Sequence, residues 1–278
     1  MRLGGPIFNQ YKDPATWLAG LKEAGFTAAY APVGPDADDA TAQAYVAAAA
    51  KAGIVIAEVG AWSNPISPNN DERRTAIDKC VRCLAHAERL GARCCVNIAG
   101  ARGTQWDGPH PDNLTDATFD LIVETTRHII DAVKPRRTFY TLETMPWVFP
   151  DSADSYARLL KAIDRPAFAV HFDPVNLINC PSRYFRTGEF IRDCFAKLGP
   201  RIKSCHAKDI ALAGKLTVHL DEVRPGLGGL DYGVFLTELS KLDPDTTLII
   251  EHLPNAEEYA AAAKHIRQIA TEKGVSFR

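Results

Sequence analysis

Residues 139–173 read FYTLETMPWVFPDSADSYARLLKAIDRPAFAVHFD. Phe139–Glu143 is a short apolar run that ends in a carboxylate, and Ala167–Asp173 is a second run that ends the same way. Between them, Ser152 to Ile163 carries a helical pattern. Strand, helix, strand in that order is the repeating unit of a parallel sheet, because parallel neighbours need a long crossover.

The same alternation continues in both directions. Further strand candidates are Arg2–Gly5, Thr27–Pro32, Ile54–Val59 and Arg93–Ile98 upstream, with Ile202–His206 and Thr247–Glu251 downstream, eight in all. Helical segments lie between them at Pro14–Ala24, Ala37–Ala52, Asp71–Leu90, Leu114–Lys134, Phe185–Leu198 and Tyr232–Leu242, and Ala256–Lys273 closes the chain. Their ends carry ordinary signals: Asp13 as N-cap before Pro14, then Gly25, Gly53, Gly91 and Gly274 just past helix C-termini, and Pro135 as a stop. Ile54-Val55-Ile56-Ala57 and Leu248-Ile249-Ile250 are apolar on successive residues, as strands covered on both faces are. No G-x-G-x-x-G follows the first strand, so an open dinucleotide-binding sheet is disfavoured. Residues 1–278 are expected to form one domain, a (β/α)8 TIM barrel, a fold that needs roughly 250 residues.

In such a barrel the active site lies at the C-terminal ends of the strands. Four consecutive strands end in Glu143, Asp173, His206 and Glu251. Each has a plain structural reading alone: a salt-bridged rim carboxylate, a turn cap before Pro174, a hydrogen-bonded core imidazole. Together they are a ligand set. Carboxylates gathered at one rim repel unless a cation sits among them, and three hard oxygens with one nitrogen suit Mn²⁺, Mg²⁺, Co²⁺ or Zn²⁺.

Around these residues the chain resembles the sugar phosphate isomerase/epimerase superfamily, the xylose-isomerase-like TIM barrels that include ketose 3-epimerases, hydroxypyruvate isomerases and inosose dehydratases. The resemblance rests on Leu142-Glu143-Thr144, His171-Phe172-Asp173-Pro174-Val175-Asn176, His206-Ala207-Lys208-Asp209 and Ile250-Glu251. Ala87–Ala92 and Pro225-Gly226-Leu227-Gly228-Gly229-Leu230-Asp231-Tyr232 add to it. It implies one divalent ion, Mn²⁺ first, held by Glu143, Asp173, His206 and Glu251. It further implies that Glu143 and Glu251 are the catalytic pair, moving protons on opposite faces of a metal-stabilised enediolate. Two departures stand out. Met145–Pro150 is apolar and aromatic where the epimerases carry sugar-binding polar residues, and Leu227 stands where they carry Glu; both are expected to strip polar contacts from the substrate pocket.

Candidate substrate contacts lie in the loops beyond the strands. Trp62, Trp106 and Trp147 could stack on a sugar ring or an aglycone, with Asn64 and Asp107 beside them. His110 is a candidate auxiliary acid or base, Lys208 and Arg102 candidates for a substrate oxygen, and Asn176 and Arg224 candidates for hydroxyls. His171 precedes Asp173 by two residues, so strand alternation turns it to the same side.

Composition narrows the function classes. Net charge is −2, from 32 Lys+Arg and 34 Asp+Glu, which leaves no basic field for nucleic acid or an anionic membrane. An endonuclease-IV-like repair enzyme, with about three metals and a basic DNA face, is disfavoured on that ground. Seven cysteines, an odd number lying mostly in apolar segments, point to buried free thiols in a reduced, cytoplasmic protein, and Cys80-x-x-Cys83 reads as two small core residues on a helix. The start of the chain lacks the pattern of a signal peptide, and no apolar run approaches a membrane span. The expectation is therefore a cytoplasmic homo-oligomer that acts on a small sugar or polyol as a metal-dependent isomerase or epimerase. The alternative is a lyase of the same architecture, driving β-elimination from a keto-sugar, keto-inositol or 3-keto-glycoside. A non-enzymatic sugar sensor would not need the glutamate pair beside the metal.

Overall fold

The computed structural model of the protein describes residues 1–278. Seven parallel strands run β1 (Arg2–Gly4), β2 (Ala28–Tyr30), β3 (Val55–Gly60), β4 (Cys94–Asn97), β5 (Phe139–Glu143), β6 (Phe168–Phe172) and β7 (Ile202–Ala207). After a hairpin of β8 (Asp209–Ala213) and β9 (His219–Val223), β10 (Thr247–Ile250) returns to the sheet and closes it between β7 and β1. The helices are α1 (Pro14–Ala24), α2 (Asp39–Ala52), α3 (Asn70–Leu90), α4 (Asp116–Val133), α5 (Ala153–Ile163), α6 (Pro181–Tyr184), α7 (Thr187–Leu198), α8 (Tyr232–Leu239) and α9 (Ala256–Glu272). All eight barrel strands coincide with the segments expected from sequence, trimmed by one or two residues at most ends. None of the helices is long and apolar enough to cross a membrane.

Local chemistry fixes the elements. Asp13 accepts from the Thr16 N–H at 2.8 Å and the Thr16 hydroxyl answers the Asp13 backbone, so α1 begins where its first free N–H groups are satisfied. Gly4 lets β1 and β2 close, since a Cβ there would collide with the Ala28 carbonyl. Helix faces and the outward faces of the strands share one cluster of 60 buried residues. Cys80 and Cys83 are buried within it, as small helix-face residues.

Two irregularities aim side chains. Between β2 and β3 the register passes from Ala29↔Ile56 to Tyr30↔Glu58, skipping Ala57. Between β6 and β7 it passes from Val170↔Ile202 to His171↔Ser204, skipping Lys203. A one-residue bulge reverses which face the following residues take. Glu58 and Ser204 thereby meet at 3.1 Å although β3 and β7 are not neighbours in the sheet, so their contact runs through the barrel interior.

Three segments depart from the sequence expectation. The hairpin at 209–223 was not anticipated, because its polar β9, with only Leu220 and Val223 partly covered, lacks an alternating apolar signal. The helix expected from Phe185 begins at Thr187, preceded by the single turn α6, and the one expected to reach Leu242 stops at Leu239.

Tyr156 of α5 ties the two strands that carry the first two site carboxylates. Its hydroxyl donates to the Leu142 carbonyl at 2.6 Å and lies 2.9 Å from the Ala169 carbonyl, while the Leu142 and His171 N–H groups point at it from 3.2 and 3.3 Å. Tyr156→Phe leaves those buried backbone groups short of a partner, so it should cost about 1–3 kcal/mol in urea unfolding. An unchanged midpoint would mean the strands do not depend on that hydroxyl.

Candidate metal centre and substrate cleft

Neighbouring strands β5, β6, β7 and β10 bring Glu143, Asp173, His206 and Glu251 to one point, with one ligand-competent atom from each within 4.8 Å of the others. His206 Nδ1 lies 3.1 Å from Glu143 Oε1, 2.8 Å from Glu251 Oε1 and 3.9 Å from Asp173 Oδ2. Asp173 and His206 are fully buried; the Glu143 and Glu251 side chains keep 7% and 11% of their surface.

Each ligand atom is prepared by its surroundings. Asp173 commits Oδ1 to the Val175 and Asn176 N–H groups at 2.9 and 3.3 Å, which leaves Oδ2 facing the centre. The Thr144 hydroxyl donates to the Asp173 carbonyl at 2.7 Å and so locks the end of β6 against that of β5. Asn176 Nδ2 donates to Glu143 Oε1 at 3.1 Å. Asp173 Oδ2 and Glu251 Oε1 are buried without a hydrogen bond of good geometry, though the Lys208 ammonium stands 2.9 and 2.8 Å from them. Carboxylate oxygens gathered around one imidazole nitrogen, with a single ammonium to answer their charge, fit a divalent cation, and the donor set is the one such an ion takes.

Beneath the four lies a buried polar stack. Glu58 Oε1 is 3.4 Å from His206 Nε2, and Glu58 Oε2 accepts from Ser204, which in turn accepts from Thr247 at 2.9 Å. A carboxylate behind the far nitrogen of a ligating imidazole fixes its orientation and raises its basicity. Glu58 was missed from sequence. The available signal was a carboxylate inside an apolar strand, where both faces of the strand are covered.

Electrostatics follow from this crowding. Burial alone would lower His206, but Glu251, Glu143 and Glu58 outweigh it and hold the imidazole well above its ordinary value. Burial likewise opposes the Lys208 charge, and Asp173, Glu143 and Glu251 raise it well above the usual range. Burial pushes Glu143 up, only partly offset by His206. Burial also acts to raise Glu251, but His206 and Lys208 dominate and hold it well below the ordinary carboxylate range.

Above the four opens a cavity of about 430 Å³. Tyr30, Trp62 and Trp106 supply aromatic wall, Ile98 and Met145 apolar wall, and Glu143, Glu251, Asn176, Lys208, Asp107, Glu222 and His252 the polar lining. Of the substrate candidates named from sequence, Trp62, Trp106, Asp107, Asn176 and Lys208 stand in this cavity. Six do not. Asn64 donates to the Ala101 carbonyl and Arg102 to the Ile66 carbonyl, both within the loops themselves. His171 is fully buried, 4.0 Å from the His206 ring between centroids and 3.5 Å from Glu58 Oε2; alternation does turn it inward, but one layer below the cavity floor. Trp147 Nε1 donates to the Asp107 carbonyl at 2.8 Å and braces the loop that carries Trp106. His110 caps the turn Pro111–Leu114, and Arg224 pairs with Glu258 at 2.8 Å. Leu227 is 60% exposed and outside the lining, so that departure from the epimerase pattern leaves the cavity untouched, whereas Met145 does line it.

Glu222 and His252 were not singled out from sequence; Glu222 stands on the unanticipated hairpin, and His252 in the turn after β10. The root of the hairpin is set by Asp209, whose buried carboxylate accepts from the N–H groups of Ile210, Gly226, Gly228 and Leu230 at 2.9–3.1 Å. The glycines are required there: Gly226 has φ +95°, and a Cβ on Gly228 would strike Asp209 and Ile210.

The xylose isomerase-like TIM barrel family matches residues 18–269. No curated protein sequence matches the chain. Among solved structures, the D-psicose 3-epimerase of Clostridium cellulolyticum H10, determined with D-tagatose, is 15% identical over 99% of this chain and 100% of its own, with a TM-score of 0.71. The 3-keto-D-glucoside 4-epimerase of E. coli is 14% identical over 96% and 99%, with a TM-score of 0.70. Endonuclease IV of Thermus thermophilus is 16% identical over 98% and 100%, with a TM-score of 0.73. At such identities the likeness is one of fold, and the fold serves unrelated chemistries. With the family match spanning nearly the whole barrel, the chain belongs to the xylose isomerase-like TIM barrels.

Proposed function

We propose that the protein is a divalent-metal-dependent isomerase or epimerase of a sugar or polyol. The observation that carries this reading is that Glu143 and Glu251 both turn Oε1 toward His206 Nδ1 while no protein hydrogen bond takes either Oε2. An ion held by Glu143, Asp173, His206 and Glu251 would supply Lewis acidity to a carbonyl and its neighbouring hydroxyl, and Mn²⁺ suits the donor set best.

The chain's own residues do the rest. Glu251, held ionised by His206 and Lys208, accepts the proton α to the carbonyl at Oε2. Glu143 returns a proton from Oε2 on the other side. Lys208 Nζ, 2.8 Å from Glu251 Oε1 in the cleft lining, would steady negative charge that builds on a substrate oxygen, and Tyr30, Trp62 and Trp106 offer it an aromatic wall. The likeness to the D-psicose and 3-keto-D-glucoside epimerases supports a sugar as substrate. The near-neutral balance of 32 basic and 34 acidic residues speaks against the nucleic-acid substrate that the endonuclease likeness would suggest.

Metal content tests the ligands. Reconstitution with Mn²⁺ after chelation should give about one ion per chain, lost in Asp173→Ala and His206→Ala. Because His206 Nδ1 must give up a proton to bind, apparent affinity should fall about tenfold per unit as pH drops below the raised imidazole value, and level off above it. Full metal content in both alanine variants, or an affinity flat with pH, would remove the site.

The chemistry is tested by solvent-deuterium exchange on ketoses, inososes and 3-keto-glycosides with the Mn²⁺-loaded protein. Glu143→Gln and Glu251→Gln should keep the fold and retain metal, and should lose roughly 10²–10⁴ in α-proton exchange. Near-normal exchange in either variant would reduce that carboxylate to a ligand. Exchange accompanied by loss of water from the substrate would favour the lyase.

A further inference from the structure

We infer that Glu222 and His252 form a hydroxyl-reading pair in the cleft, contributed by the hairpin and the turn after β10, and that this pair selects an uncharged polyol over its phosphate ester. The inference rests on the function proposed above and names the groups that recognise the part of the substrate away from the reacting carbons.

Backbone conformation gives the first indication. Three residues other than glycine have positive φ: Lys134, Asp164 and His252. Lys134 and Asp164 are helix C-caps, where a left-handed residue is ordinary. His252 caps no helix; it directly follows Glu251 with φ +58°. Glycine or asparagine would fit that turn more easily than a ring-bearing side chain, so the imidazole is held there against the backbone's preference.

What the strained turn achieves is visible in the contacts. The His252 ring enters the cleft lining, with Nε2 3.7 Å from Glu251 Oε2, the oxygen left free for the substrate. Nδ1 lies 3.1 and 3.3 Å from the two oxygens of Glu222. Glu222 Oε2 in turn stands 3.4 Å from Lys208 Nζ. Lys208, Glu222 and His252 therefore form a continuous polar row from the end of β7, across β9, to the end of β10. A plain surface ion pair would need neither the left-handed residue nor the buried lysine at its other end.

The aromatic part of the lining, Tyr30, Trp62 and Trp106, comes from β2 and the loops after β3 and β4, while the polar row comes from β7, β9 and the end of β10. Polar groups together with aromatic surface match a polyol, whose hydroxyls lie at its edges and whose C–H groups form its faces. The polar lining contains four carboxylates, Asp107, Glu143, Glu222 and Glu251, against Lys208 and His252, and no arginine. A phosphate dianion would meet Glu222 and Asp107 with no guanidinium to bind it.

In this scheme Glu222 is a positioning residue: it orients His252, and its charge sets the discrimination. Glu222 is opposite Ile210 in the hairpin, one residue from the Asp209 anchor, so its place is fixed by the Pro225–Leu230 loop.

The test is calorimetric binding to the Mn²⁺-loaded protein, with D-fructose, D-tagatose and D-psicose as neutral probes and D-fructose 6-phosphate as the charged one. A neutral ketose should bind, and the phosphate ester should bind more weakly. His252→Gly should weaken the ketose about tenfold, the loss of one hydrogen bond, while its thermal midpoint holds or rises because the left-handed strain is gone. Glu222→Ala should weaken the ketose as well. Glu222→Gln, which still accepts from Nδ1, should keep ketose affinity and improve that of the phosphate. Unchanged ketose affinity in both His252→Gly and Glu222→Ala overturns the inference, as does a wild-type preference for the phosphate or the failure of every neutral ketose to bind. If ketoses bind in a His252-dependent way but no α-proton exchanges, the proposed function fails and the recognition pair stands.

Discussion

Three carboxylates and one imidazole converge within 4.8 Å in a place nearly closed to water, and the upper half of the barrel is arranged around that repulsion. Unscreened like charges at such range are too costly to leave alone. Each neighbour answers the problem. His206 and Lys208 hold their protons well above their ordinary values because the carboxylates demand it. Asp173 divides its labour, with Oδ1 satisfied by two backbone N–H groups and Oδ2 left for a cation. Asn176 and Thr144 tie the ends of β5 and β6 so that the oxygens cannot relax apart. Such an assembly has the donor set and the closeness that a divalent ion could use.

Rigidity comes from below. The chain Thr247, Ser204, Glu58, His206 runs through the barrel interior and joins strands that are not neighbours in the sheet. It exists because two bulges redirect Glu58 and Ser204 inward. His171 sits in the same layer with both ring nitrogens unpartnered. Burial and the charged His206 beside it drive its own value far down, so it stays neutral and packs edge-on against the His206 ring. Polar groups in this layer orient the ligands and make no contact with the cavity.

The regular alternation of short strand-like runs with helical patterns carried the barrel, most plainly at Ile54–Ala57 and Leu248–Ile250, which are apolar on successive residues as strands covered on both faces are. Strand-end residues carried the quartet, because a carboxylate or imidazole closing an apolar run has one place to go. The remaining differences each have a local cause. His171 obeyed alternation, but alternation gives the side of a strand and not the depth in the barrel. Glu58 needed the bulge at Ala57, and a one-residue shift of register leaves no mark in composition. Trp147, His110 and Arg224 lie in loops, where local partners decide where a side chain points: the Asp107 carbonyl, the Asp112 N–H and Glu258. His252 was invisible because its role depends on a backbone angle.

The hairpin shows why the site's chemistry and its selectivity are separable. The candidate ligand residues stand on or directly at the ends of barrel strands, whose spacing is fixed by the closed sheet. The groups that would read a substrate stand elsewhere: Trp62 and Trp106 on loops after β3 and β4, Glu222 on β9, His252 in the turn after β10. A barrel can change those segments without disturbing its metal geometry, because their anchors are local. The hairpin hangs from Asp209 and four backbone N–H groups, none of which touches the quartet. Proteins as different as a psicose epimerase and an endonuclease can then share this fold, at 15% and 16% identity to this chain. What distinguishes this chain among them has to be sought in the aromatic wall and the row Lys208, Glu222, His252. Of the two, the row is the more constraining, since an aromatic face accepts any C–H surface while a hydrogen-bonding pair accepts one geometry.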